Sequence, residues 1–186
     1  MELDTNKQYD QAVQSCKDIF HKKTLDYGTS WRCLRIISIT DQIYIKAMRI
    51  RTIQDKKVNR VGEDIVGELK GIVNYGIIGL IQLEKGNSLV EDLEPETATD
   101  LYDKHAAQAR SIMLDKNHDY GEAWRDMSQE SFVDLISTKL SRIKQILAND
   151  GKTMISEGID ANFVDIINYA VFGLILIGEG KKGHSA

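Results

Sequence analysis

All-α is the fold class the sequence predicts, with two tandem three-helix repeats packed as a pseudo-twofold helical bundle. Three observations carry this. Apolar residues recur at helical spacing, strand-like alternation is missing and the 186 residues include one proline, and a string of uncommon residues occurs twice in the same order. Asp26-Tyr27-Gly28 and Trp31-Arg32 return as Asp119-Tyr120-Gly121 and Trp124-Arg125, and Asp41, Lys46 and Arg49 return as Asp134, Lys139 and Arg142, all 93 positions on. One extra residue then shifts the offset to 94, pairing Glu63 with Glu157, Asn74-Tyr75 with Asn168-Tyr169, and Gly79-Leu80 with Gly173-Leu174.

The elements follow in order. In the first segment Tyr9, Ala12, Val13, Cys16, Ile19 and Phe20 trace one helical stripe, which Gly28 ends. A second stripe runs through Ile39, Ile43, Ala47, Ile50 and Ile53. The third segment, about Glu63 to Leu83, is apolar nearly all round and predicts a buried central helix. Pro95 and its neighbours read as the linker, so residues 1–86 form repeat one, 87–97 the linker, 98–180 repeat two and 181–186 a tail. Repeat two runs again through Leu101, Tyr102, His105, Ala109, Ile112 and Met113, then Phe132, Leu135, Ile136, Leu140, Ile143, Ile146 and Leu147, then Glu157 to Ile177. An all-round apolar helix is hard to bury within one copy, so the copies should pack through their third helices as a pseudo-dimer, with further homo-oligomerisation left open.

Composition narrows the function. With 24 Lys+Arg against 28 Asp+Glu, a net charge of −4 and both signs interspersed, no direct nucleic-acid binding is expected, while a small anionic ligand fits a local basic pocket. Cys16 and Cys33 form no metal-spaced or disulfide pattern, so a cytoplasmic location is expected. The N-terminus lacks a signal-like apolar run, and Ile166 to Ile177 is short and contains Asn168, so no membrane role is expected.

The repeated polar residues are the candidate site. Gly28 and Gly121 should end their helices in a left-handed conformation, with the neighbouring aromatics plugging the core, and Asp26 and Asp119 either bond nearby amides or face a ligand. Lys46 with Arg49, and Lys139 with Arg142, put two cations on one helix face, which suits a phosphate or carboxylate, or else a solvated surface. Asn74 and Asn168 interrupt apolar helices; a buried amide without a partner costs on the order of 1–3 kcal/mol, and the Asp-Tyr-Gly turn is the expected partner. Asp165 precedes Asn168 by one turn where copy one has Gly71, and a carboxylate facing a core needs a cation, a metal or a raised pKa. Copy two collects Asp119, Asp134, Glu157, Asp160 and Asp165, oxygen ligands suited to Mg²⁺. His118 has no counterpart in copy one and reads as a solvated residue, and no phosphate-cradling or dinucleotide glycine motif occurs.

The run from Lys116 through Asp119-Tyr120-Gly121, Trp124-Arg125, Asp134, Lys139 and Arg142 to Glu157, Asp160 and Asp165-Ile166-Ile167-Asn168-Tyr169 resembles the nucleotide-modification-associated domain family, type one. That resemblance implies a role in nucleotide metabolism without naming a reaction. A looser similarity is to the MazG-like all-α nucleoside triphosphate pyrophosphatases, whose two acidic helix motifs bind Mg²⁺; here Glu130 and Asp134 are followed by Glu157 and Asp160, with Glu130–Asp134 one residue wider than that pattern and Val66 replacing the second acid in copy one. Three readings follow. The first is Mg²⁺-dependent hydrolysis of nucleoside triphosphates or related phosphates, with Asp119, Asp134, Glu157 and Asp165 as the metal shell, Lys46, Arg49, Lys139 and Arg142 as the phosphate clamp, and Asp26, Asn74, Asn168 and Tyr169 as positioning groups. It places the chemistry in copy two. The others are a non-catalytic nucleotide or anion binder and a helical scaffold.

Overall fold

The computed structural model describes residues 4–56, 62–154 and 157–180, with only the backbone of residues 62–64. The expected tail, residues 181–186, and the Glu63 side chain lie outside the described residues. Among the described residues six α-helices form: α1 (Thr5–Tyr27), α2 (Ile36–Lys56), α3 (Gly62–Lys85), α4 (Pro95–Tyr120), α5 (Gln129–Ala148) and α6 (Ile159–Gly178). A short 3₁₀ turn, Ser30–Cys33 in copy one and Ala123–Asp126 in copy two, carries the repeated Trp-Arg.

Local chemistry sets the boundaries. Asp4 caps α1 by accepting the Lys7 amide at 3.1 Å, and Ser128 caps α5 by accepting the Ser131 amide at 3.3 Å. Gly121 ends α4 in the left-handed region, as expected, whereas Gly28 ends α1 at φ 71 and ψ −151, outside it. Pro95 does not belong to the linker: it occupies the first turn of α4, where its missing N–H leaves no bond unmade, so the connection shortens to Gly86–Glu94.

The helices stack in three layers of two. α3 and α6 pack against each other at the centre, α2 and α5 cover one side of that pair, and α1 and α4 cover the other. Each layer holds one helix from each copy, as a pseudo-twofold arrangement requires. Ile72, Ile77, Ile81, Phe163, Ile166 and Ile167 are fully buried, each apolar side chain contributing about 1.5–3 kcal/mol of transfer free energy. Two glycines let the central pair approach: a Cβ at Gly76 would lie 2.6 Å from Ile167 Cγ1, and one at Gly79 would lie 2.7 Å from the Phe163 ring. α6 is long and apolar enough to cross a membrane by length and composition alone, and 72% of that stretch is buried inside the bundle.

Polar bonds lock the copies together. Tyr9 donates to Asn168 Oδ1 at 2.7 Å, and Tyr102 donates to Asn74 Oδ1 at 2.8 Å, so each tyrosine reaches the asparagine of the other copy. Asn74 Nδ2 then donates to the Cys16 carbonyl at 3.0 Å and Asn168 Nδ2 to the Ala109 carbonyl at 3.1 Å. The expected partner, the Asp-Tyr-Gly turn, is not used. Burial raises the pKa of both phenols and keeps them protonated donors.

The repeated arginines are clamps of a different kind. Arg32 is buried and bonds Gln82, the Gly86 carbonyl at 2.6 Å and Asp92 at 2.8 Å, tying the connection to the end of α3. Arg125 bonds Glu179 at 2.7 Å, Thr5 at 2.6 Å and Gln8 at 2.7 Å, joining the start of copy one to the end of copy two. Trp124 is buried as expected, but Tyr27 and Tyr120, each the last residue of its helix, are 58% and 74% exposed and do not plug the core.

Candidate functional site

Asp165 lies on α6 and is 7% exposed, so its charge needs compensation. Lys116 from α4 supplies it at 2.7 Å from Oδ1, and Lys139 from α5 at 2.8 Å from Oδ2. One carboxylate thus bridges two ammoniums, one to each oxygen. Desolvation pulls the Lys116 pKa down, but the hydrogen bond and charge of Asp165, with Tyr169 and Glu157 nearby, outweigh it and the net shift is upward.

The acids of the expected metal shell lie as follows. Asp165 is committed to lysines, Asp134 is exposed and lies 3.7 Å from Arg51, Asp119 is exposed beside His118 at 3.2 Å, and Glu157 is exposed near Lys116. Among the described residues no three acids, histidines or cysteines gather as a metal site. The second acidic pattern, Glu130, Asp134, Glu157 and Asp160, is exposed at every member. Of the expected phosphate clamp, Lys139 bonds Asp165, Arg142 is exposed, and Arg49 bonds Glu68 at 2.6 Å. Asp26 is exposed at the end of α1, Asn74 and Asn168 hold the copies together, and Tyr169 is half-buried beside Lys116.

Copy one differs at the matching place. Lys23 and Lys46 are the counterparts of Lys116 and Lys139, but Gly71 replaces Asp165, and Ile78 replaces Phe172. A cavity of about 430 Å³ opens there. Its polar lining includes Lys23, Lys46, Gln42, Ser30 and Asn74; its aromatic lining is Phe20, Tyr27, Trp31 and Tyr75; Gly67, Gly71 and Ile78 keep it open. α1 and the following turn supply Lys23, Tyr27 and Trp31, α2 supplies Gln42 and Lys46, and α3 supplies the glycine floor.

The electrostatics of the cavity are cationic. Lys23 is exposed and makes no ion pair with any described residue. Lys46 meets Glu68 only at 3.5 Å and stands 5.9 Å from the Tyr75 ring centroid, while Glu68 takes its short contact from Arg49. Burial, with the nearby Tyr27 hydroxyl, raises the Tyr75 pKa, so its hydroxyl is a neutral donor at ordinary pH. This cavity is in copy one, whereas the sequence placed the chemistry in copy two. Lys23 was missed although it and Lys116 stand 93 positions apart, the same offset as the recognised motif; Tyr9 and Tyr102 carried that signal too.

The comparisons with known proteins agree with the duplicated pattern. The nucleotide modification associated domain 1 matches over residues 23–83 and again over 116–177, each block opening on one of the paired lysines. No curated protein and no solved structure matches the chain. Two matched blocks that together span both lysine pairs, both Asp-Tyr-Gly turns and both buried asparagines make the chain a member of the nucleotide modification associated domain 1 family, in tandem duplicate.

Proposed function

We propose that this protein binds a nucleotide in the copy-one cavity, and that copy two serves as its structural counterpart. The observation that carries the reading is the exchange at one position: the lysine pair that grips a built-in carboxylate in copy two faces, in copy one, a glycine and an open space. Lys23, which has no ion pair with a described residue, and Lys46, which meets Glu68 only at 3.5 Å, favour a negatively charged group, and the aromatic lining offers faces for a base. The family's association with nucleotide modification points the same way. Among the described residues no three acids gather as a metal site, and binding as proposed needs none of them. A cytoplasmic location accords with two free thiols.

Thermal unfolding with nucleoside mono-, di- and triphosphates, each with and without Mg²⁺, tests the reading. At roughly a hundredfold excess over Kd a ligand specific for the folded state stabilises by about 2.7 kcal/mol. A midpoint that no nucleotide raises would overturn nucleotide binding and leave the scaffold reading standing. Product release in the same mixtures separates binding from hydrolysis.

A further inference from the structure

Copy two fills its own site with two side chains, and those side chains describe the ligand of copy one. The first is Asp165, whose two carboxylate oxygens are taken separately by Lys116 and Lys139. The second is Phe172, which stacks on Trp124 with centroids 4.1 Å apart and planes within 5°. Asp165 and Phe172 are seven residues apart on α6, so they share a face two turns apart, about 10 Å along the axis. A negative group and a planar ring at that separation have the layout of a phosphate and a base joined through a sugar.

Copy one lacks both fillers and keeps both receptors; the one carboxylate that reaches its lysines among the described residues, Glu68, meets Lys46 at 3.5 Å and is held at 2.6 Å by Arg49. Gly71 stands for Asp165, and a Cβ added there would lie 3.1 Å from Lys46 Nζ, so Lys46 leans into the space that a side chain would enter. Ile78 stands for Phe172, and among the described aromatic rings the tilted Phe20 ring, at 6.2 Å, is the one that meets Trp31. Both vacated positions line the same cavity as Lys23, Lys46 and Trp31. Loss of one filler would be an isolated substitution. Loss of both, with the lysines and the tryptophan retained, describes a site.

We propose that the copy-one cavity takes a nucleoside monophosphate, its phosphate between Lys23 and Lys46 over Gly71 and its base against Trp31 over Ile78, in the places that Asp165 and Phe172 occupy in copy two. This rests on the nucleotide-binding reading and narrows it. A phosphate monoester carries about −1.5 to −2 charge at neutral pH, which two lysines balance. A triphosphate brings more charge than that pair can meet.

Isothermal titration of the full chain tests the assignment, using nucleoside 5′-monophosphates, the parent nucleosides, inorganic phosphate, a sugar phosphate and nucleoside triphosphates. The expected result is one monophosphate per chain, with nucleoside, phosphate, sugar phosphate and triphosphate each weaker by about tenfold or more. Gly71→Asp should supply the anion internally and weaken monophosphate binding by about tenfold or more, with the unfolding midpoint held or raised. Ile78→Phe should refill the ring space with a similar loss, and it carries the test should Gly71→Asp fail to fold. Monophosphate binding undiminished in a folded Gly71→Asp or Ile78→Phe variant overturns the assignment while nucleotide binding stands. Triphosphate or sugar phosphate binding as tight as monophosphate overturns the ligand class, and silence from every nucleotide overturns both readings.

Discussion

Tyr9 and Asn168, 159 residues apart and in different copies, share a buried hydrogen bond of 2.7 Å. Its symmetry mate joins Tyr102 to Asn74 at 2.8 Å. Each asparagine also donates to a backbone carbonyl of the first helix in its own copy, so one amide links three helices. The copies are therefore held in register by polar bonds inside an apolar core, where slippage would orphan four groups at once.

Tyr9→Phe removes the donor and leaves the Asn168 oxygen buried without a partner, which costs about 1–3 kcal/mol. Tyr102→Phe should behave alike. The pair Tyr9→Phe with Asn168→Leu removes both groups, and urea unfolding should show it less destabilised than the sum of the single changes, with a coupling of about 0.5–3 kcal/mol. Strict additivity would mean that the bond contributes nothing in solution.

The two thiols should differ sharply. Burial pushes the Cys16 thiol up to about 12, with Lys70 pulling weakly the other way, so it stays a protonated thiol at pH 8, whereas Cys33 is exposed. One thiol should react rapidly with a disulfide reagent in the native protein and two after denaturation. Native reaction of Cys16 at the Cys33 rate would contradict the packing of α1.

Architecture was readable because periodicity and repetition are local properties of the chain. The all-round apolar character of α3 and α6 required a partner of the same kind, and the 94-residue offset identified it. The site was less readable. Acidic residues such as Asp134 and Glu157 look alike in sequence whether they face a cleft or water, and here they are exposed. Tyr9 looked like core because its hydroxyl is invisible to apolar periodicity, and its partner lies in the other copy. The Gly71 for Asp165 exchange was visible, yet its meaning depended on Lys23 and Lys46 converging from two other helices onto the same space.

The connection between the copies should loosen in acid. Hydrogen bonding to Arg32 holds the Asp92 carboxyl below its ordinary value of 3.8, partial desolvation opposing weakly. A lowered value means that the bond's contribution is fully present above 3.8 and fades as pH falls through the lower folded value. The Ser88 amide, which donates to the Arg32 carbonyl at 2.8 Å, is a reporter: its resonance should shift with a midpoint below 3.8, and Asp92→Asn should abolish the step. A midpoint above 3.8 would place Asp92 away from Arg32.

Asp165→Gly converts the copy-two site to the composition of copy one and strands two lysines that had shared a carboxylate. Lys116 is half exposed and relaxes into water, but Lys139 is 17% exposed and cannot fully do so. The loss should be about 2–3 kcal/mol, below the full cost of a deeply buried broken pair and including the helix penalty of glycine. Millimolar phosphate should restore part of it by sitting between the ammoniums. Asp165→Asn should lose a comparable amount and gain nothing from phosphate, since its amide still fills the space. The pH dependence has a definite sign: because the Lys116 pKa is raised above its ordinary 10.5, its share of the pair is intact across neutral pH and disappears only as pH climbs past 10.5 toward the folded value. Chemical denaturation of wild type and both variants between neutral and alkaline pH measures all of this, and a phosphate response equal in the Gly and Asn variants would show that the space between the lysines does not receive an anion.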